Sequence, residues 1–195
     1  MKALLIDHDD SFTFNLRHWL FGLAANVDII NHHQITNQNF SEYDFVVLSP
    51  GPKSPHDYPH IVNWLQQNFF SKPIFGVCLG MQLMAVASDG DVQPYPKPLH
   101  GKKSYLHIQF RTDFNLQNDL EQLGPVQVAR YHSLKCCHLN QFKILAFTEE
   151  KDFTQIPMWV EHVKNRWMGL QFHPESFLTE KSDSLQALIK KWILL

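Results

Sequence analysis

Apolar residues in this chain come in short blocks separated by polar turns. "KALLID", residues 2–7, is an apolar run that closes on an acid and predicts a buried strand. From Ser11 the period changes. In "SFTFNLRHWLFGLA", Phe14, His18 and Phe21 share one helical face, with Leu16, Leu20 and Leu23 close by, so a helix is expected with Asp10 or Ser11 as its N-cap. "VDII" and "FVVLS" predict the next two strands, the latter broken by "PGPKSP". "IVNWLQQNF" (61–69) predicts a second helix and "PIFGV" a fourth strand. Short buried strands alternating with helices indicate a parallel sheet with helices on both faces. Beyond residue 90 the texture changes. "SYLHIQF", "VQVARYH", "FKILAFT" and "WMGLQF" are strand-like with few helices between them, and "SDSLQALIKKWI" predicts a closing helix. No repeat, low-complexity tract or linker interrupts the pattern, so residues 1–195 are expected to form one domain.

Composition narrows the function classes. The chain is 44% hydrophobic and 18% charged, ordinary for a globular protein. A net charge of −2 gives no electrostatic reason to expect nucleic acid. No apolar run approaches membrane-spanning length, and "MKALLIDHDD" turns acidic too early for a secretory leader. Of three cysteines, Cys136 and Cys137 are adjacent, a poor disulfide arrangement, which points to a reducing, cytoplasmic setting.

The third cysteine carries the chemistry. In "PIFGVCLGMQ" an apolar strand ends at a corner where Cys78 stands between Gly76 and Gly80, and "LGMQLMAVA" continues as a helix. G-x-nucleophile-x-G on a strand–turn–helix corner puts the nucleophile on a strained backbone, and the glycines remove side chains that would clash. The corner projects the thiol at the carboxyl end of the strand, where open α/β sheets bind ligands. The free N–H groups of the helix starting near Leu79 favour a thiolate and a developing oxyanion.

A nucleophilic thiol needs a base, and 12 histidines offer too many. "WMGLQFHPES" places His173 directly after a strand-like run, with Glu175 two residues on, able to fix its tautomer. By itself HPE reads equally as a surface turn. Other clusters weigh less. "YHSLKCCHL" holds His132, Cys136, Cys137 and His138 but matches no common zinc spacing, so it reads as a loop by the substrate pocket and no metal is expected. His32 and His33 read as a solvated loop pair. "HGKKS" lacks the glycine spacing of a phosphate loop. Phe12, Phe14, Trp19 and Phe21 read as core or interface aromatics.

Five motifs then occur in order: "LSPGPKSP", "GVCLGMQ", "HGKKS", "RYHSL" and "GLQFHPESFLTE", after an N-terminal "LLIDHDDSFTFNL". With them the chain closely resembles the class I (triad) glutamine amidotransferases over essentially its full length. Within that family it looks most like the glutaminase subunits of anthranilate synthase and aminodeoxychorismate synthase. The resemblance implies a three-layer α/β sandwich around a mostly parallel mixed sheet, flavodoxin-like in outline. It also implies that Cys78 is the nucleophile, His173 the general base and acid, and Glu175 the third member. Gly51 and Leu79 would supply oxyanion-hole N–H groups. Gln82, Ser133 and Leu134 would hold L-glutamine. It implies no cofactor on this chain, a larger chorismate-binding synthase as partner, and magnesium on that partner. A stand-alone γ-glutamyl cysteine hydrolase and a catalytically weak regulatory subunit remain open alternatives.

Four positions depart from the family pattern. Lys53 stands where relatives carry the last glycine of PGPG, and a lysine held at positive φ costs about 1–2 kcal/mol, so the loop is expected either to strain to keep the family geometry or to relax and spoil Gly51 as an oxyanion donor. Met81 stands in place of a histidine and should point away from the pocket. "DHDDSFT" alters the family's "DNYDSFT" at His8 and Asp9.

Overall fold

A computed structural model describes residues 1–67, 72–95, 99–109, 116–152 and 154–195. The first strands follow the apolar blocks: β1 (Lys2–Asp7), β2 (Asn26–Asn31), β3 (Phe45–Leu48) and β4 (Ile74–Val77). Between and after them lie α1 (Thr13–Leu20), α2 (Pro59–Gln67) and α3 (Leu79–Ala87). The strand-rich half supplies β5 (Asp91–Pro94), β6 (Lys102–Ile108), β7 (Val126–Arg130), β8 (Leu134–Cys137), β9 (Phe142–Glu149), β10 (Gln155–His162) and β11 (Trp167–Leu170). α4 (Gln117–Leu123) and α5 (Ser182–Leu194) complete the set. The end of the helix expected over 61–69 and the last residue of "SYLHIQF" fall outside the described residues.

Among the described residues, nine strands form one mixed sheet in the order β2-β1-β3-β4-β11-β10-β9-β6-β7, and β5 pairs with β8 apart from it. β2, β1, β3, β4 and β11 run parallel, and the rest extend the sheet antiparallel. The expected α/β sandwich around a mixed sheet is therefore present. Period-2 alternation divides the core. Ala3 and Leu5 face a cluster with Leu16, Trp19, Leu188 and Trp192, whereas Leu4 and Ile6 face one with Ile61, Trp64, Leu83 and Met84. Each such side chain, fully buried, contributes about 1.5–3 kcal/mol relative to exposure. α5 buries Leu185, Leu188, Ile189, Trp192 and Ile193, the i, i+3, i+4, i+7, i+8 stripe of an amphipathic helix. No helix among the described residues is long and apolar enough to cross a membrane.

Several local expectations are corrected. α1 begins at Thr13 with Phe12 at the cap position and no capping side chain; Asp10 instead accepts the Phe12 N–H at 2.7 Å, in the turn before the helix. Trp19 is core, whereas Phe14 (70% exposed) and Phe21 (47%) face solvent, which is compatible with the interface reading and not with the core one. β5, β8, β10 and α4 were not anticipated. Pro157 argues against a strand over 155–162, and β10 accommodates it at a register shift between Pro157 and Trp159.

Candidate active site

β1, β3, β4 and β11 are sheet neighbours, and their carboxyl ends deliver Asp10, Gly51, Cys78 and His173 to one edge. Cys78 joins β4 to α3 with φ +52° and ψ −102°. A left-handed backbone at a non-glycine residue costs about 1–3 kcal/mol and persists where surrounding packing imposes it. The packing here is visible. A Cβ on Gly76 would lie 2.6 Å from the carbonyl carbon of Gly80, and one on Gly80 would lie 2.4 Å from the Leu48 carbonyl oxygen. The glycines thus let the start of α3 lie directly on β3 and β4. The Gln82 N–H donates to the Cys78 carbonyl at 3.1 Å, closing the first turn of α3.

His173 follows β11 and is pinned at both backbone ends. Its N–H donates to the Ala129 carbonyl (3.1 Å), and its carbonyl accepts from Thr179 Oγ1 (2.6 Å). The ring's Nδ1 lies 2.7 Å from Glu175 Oε1, with both side chains buried. Burial opposes charge on this imidazole, but the Glu175 carboxylate and then Cys78 outweigh it and hold the pKa well above the usual histidine value. Nε2 and Glu175 Oε2 are buried without a regular hydrogen bond among the described residues. Phe12 and Tyr131 stand edge-on to the ring, with centroids 5.6 and 5.0 Å away.

These groups share a cleft of about 280 Å³ lined by Asp10, Ser11, Phe12, residues 50–53, Cys78, Gln82, His100, residues 131–134 and His173. That is just below the roughly 300–1,000 Å³ of drug-sized ligand sites and suits a small amino acid. A larger cleft of about 390 Å³, between Tyr95 and Ile156, offers no nucleophile beside a base, so size alone does not choose the site.

The remaining expected residues are distributed unevenly. Gly51 lies against α3, since a Cβ there would fall 2.3 Å from Leu79 Cδ2. Leu79 opens α3, where backbone N–H groups have no helical acceptor. Gln82 lines the cleft, but its amide nitrogen already donates to Gln171 Oε1 at 3.2 Å. Ser133 and Leu134 also line the cleft, with one lone pair of each carbonyl taken, by the Tyr95 N–H (2.7 Å) and by His132 Nδ1 (2.8 Å). Met81 is fully buried in the core beside Gly169, as its place on the helix predicts. Lys53 is exposed and is not among the positive-φ residues, so of the two outcomes expected for its loop the strained one is absent.

Three features escaped the sequence. Gln171 donates from Nε2 to Cys78 Sγ at 3.6 Å. Its only sequence signal is its place two residues before His173, on the same side of an extended segment. His132 is buried between Arg130 Nε, which donates to its Nε2 at 3.1 Å, and the Leu134 carbonyl. Burial, then the Arg130 charge, pushes its pKa down to about 4. Lastly, His32 is buried rather than solvated, and with His33 it meets His60.

Comparisons with known proteins bear on the fold and the family. A solved structure from Thermoplasma acidophilum, described as a putative GMP synthase subunit, superposes with TM-score 0.81 at 19% identity, covering 100% of this chain and 94% of that one. A glutamine amidotransferase from Thermotoga maritima gives 0.75 at 14% identity, covering 99% and 98%. At these identities the likeness concerns the fold. Among curated proteins, a multifunctional tryptophan biosynthesis protein of Pichia angusta is 37% identical over 184 residues, 92% of this chain and 48% of that protein. The chain thus spans about half the length of that relative. A pyocyanine-specific anthranilate synthase component 2 of Pseudomonas aeruginosa is 35% identical over 191 residues, 95% and 90% of the two chains. One from Thermus thermophilus is 32% identical over 182 residues, 92% and 87%. The family described as glutamine amidotransferase class-I matches residues 4–191, and a match of that extent means that this chain belongs to it.

Proposed function

We propose that the chain hydrolyses the side-chain amide of L-glutamine and passes the ammonia to a larger, chorismate-using synthase subunit, for anthranilate or 4-amino-4-deoxychorismate synthesis. The observation that carries the reading is Cys78 on a left-handed elbow, sharing one small cleft with His173, which is paired to Glu175 behind it. The names of the component 2 relatives favour a synthase partner.

In the proposed cycle the Cys78 sulfur attacks the amide carbon of glutamine. The oxyanion forms against the N–H groups of Gly51 and Leu79, each worth about 3 kcal/mol in comparable sites. The C–N bond breaks as imidazolium His173 protonates the departing nitrogen, which leaves as ammonia and a γ-glutamyl thioester. Neutral His173 then takes a proton from water, the hydroxide adds to the thioester, and glutamate leaves as the thiol re-forms. Glu175 holds the imidazole in one tautomer and steadies its charge. Gln82, Ser133 and Leu134 meet the amino-acid end. The steps use side chains and backbone alone, and magnesium belongs with the chorismate site of the partner. Phe177, 92% exposed and two residues beyond Glu175, is an apolar contact for that partner.

The test is Cys78→Ala in the full chain, assayed with the purified synthase. Glutamine-dependent product should vanish while ammonia-dependent product persists. Glutamine turnover at the unmodified rate would overturn the assignment. Glutamate release that ignores the synthase would favour a stand-alone γ-glutamyl hydrolase.

A further inference from the structure

Among the described residues, the proposed reaction leaves one cluster of ligating side chains unused. His32 and His33 follow β2, and His60 lies in the first turn of α2, which follows β3. One nitrogen from each ring falls within 4.8 Å of the other two. His32 Nδ1 and His60 Nε2 are already 2.9 Å apart. On its far side, His32 Nε2 lies 3.3 Å from Asp9 Oδ2. Asp9 is itself held by Asn31 Nδ2, which donates to its Oδ1 at 2.8 Å, and it sits at φ +59°.

We propose that His32, His33 and His60 form a binding site for a divalent first-row transition cation of the zinc class, with Asp9 orienting His32 and one position open to water. Three arguments support it. First, tetrahedral zinc–imidazole bonds of about 2.0–2.1 Å set ligand nitrogens roughly 3.3–3.4 Å apart. Spacings between 2.9 Å and 4.8 Å reach that by small side-chain rotations. Second, a carboxylate at the distal nitrogen is the usual outer partner of a metal-bound histidine. With Nε2–H donated to Asp9, His32 turns the lone pair of Nδ1 towards the other two rings. Third, the ligands sit beyond the carboxyl ends of β2 and β3, with Asp9 beyond that of β1, on the ligand-binding edge of the sheet. An all-imidazole set suits zinc, cobalt, nickel or copper and discriminates against magnesium and calcium. A bound ion would tie the segment after β2 to α2.

The competing explanation is three stacked, hydrogen-bonded rings with no ion. It is tested on the full chain carrying Cys78→Ala, which removes the active-site thiol as an alternative ligand. Titration with Co²⁺, followed by calorimetry and visible absorption, should show one ion per chain. The d–d bands should be those of a four- or five-coordinate site, with no thiolate-to-cobalt charge transfer. Zn²⁺ should displace the cobalt and Mg²⁺ should not. His33→Gln is at an exposed position and safe for folding. It should weaken binding at least tenfold, as should His60→Gln, and Asp9→Asn should cost about 10- to 100-fold. Absence of saturable one-to-one binding, thiolate bands, or affinity unchanged in both His33→Gln and His60→Gln would each overturn the proposal. None of these readouts depends on glutamine turnover.

Discussion

His132 makes the stability of this protein sensitive to mild acid. Its ring is buried, donates from Nδ1 to the Leu134 carbonyl and accepts at Nε2 from Arg130, so both nitrogens are committed to the neutral form. Burial and the Arg130 charge push its pKa to about 4, whereas an unfolded histidine titrates near ~6.5. For a basic group whose folded pKa is depressed, the unfolded chain binds the extra proton, so stability falls as pH drops from the unfolded value towards the folded one. At pH 7.5 the difference is negligible. At pH 5.0 the unfolded ring is charged and the folded ring mostly is not, which costs about 2 kcal/mol, a substantial part of a stability of about 5–15 kcal/mol. Other histidines act in both directions: His8, pushed to about 3 by burial and then by His32, adds to the loss, and His173, raised, opposes it. A double difference cancels them. Urea unfolding of the unmodified chain and of His132→Gln at pH 7.5 and 5.0 gives four free energies. The unmodified chain should lose about 2 kcal/mol more than the variant between the two pH values. Parallel losses would refute the reasoning, because they would mean that His132 binds its proton equally in both states.

Gly80→Ala should destabilise by about 1–3 kcal/mol in urea, because its Cβ meets the Leu48 backbone at 2.4 Å and neither side can yield; a loss under about 0.5 kcal/mol would contradict the close approach of α3 to β3. Glu175→Gln should lower the His173 pKa, read by NMR of the imidazole, and slow glutamate release less than His173→Ala does; an unshifted imidazole would deny Glu175 its charge role. The stability that the His173–Glu175 pair adds is present below the unfolded histidine pKa and lost as pH rises through the raised folded value, so Glu175→Gln should flatten that alkaline loss. Lys53→Gly should destabilise by about 0.4–1 kcal/mol, since glycine loosens the unfolded chain and Lys53 has no positive φ to relieve; stabilisation would indicate strain after all.

The parts of this protein legible in its sequence are those set by neighbours along the chain. The apolar blocks of β1 to β4 alternate with helical periods, and that local rhythm is enough to imply a parallel sheet with two covered faces. The elbow was equally readable, because a residue at positive φ on such a corner needs small residues two positions away on either side, and Gly76 and Gly80 are there. β10 was hidden because Pro157 looks incompatible with a strand until a register shift absorbs it. What only the tertiary structure decided is which distant residues meet. The strand order β1-β3-β4-β11 carries His173 to Cys78 across almost half the chain and lets Gln171 reach the same sulfur. The His32–His33 pair reads as solvent-facing until α2 brings His60 against it. Backbone periodicity and glycine sterics act over a few residues, so the sequence displays them. Strand order and helix docking are won by burial summed over the whole core, and no short window of sequence contains that sum.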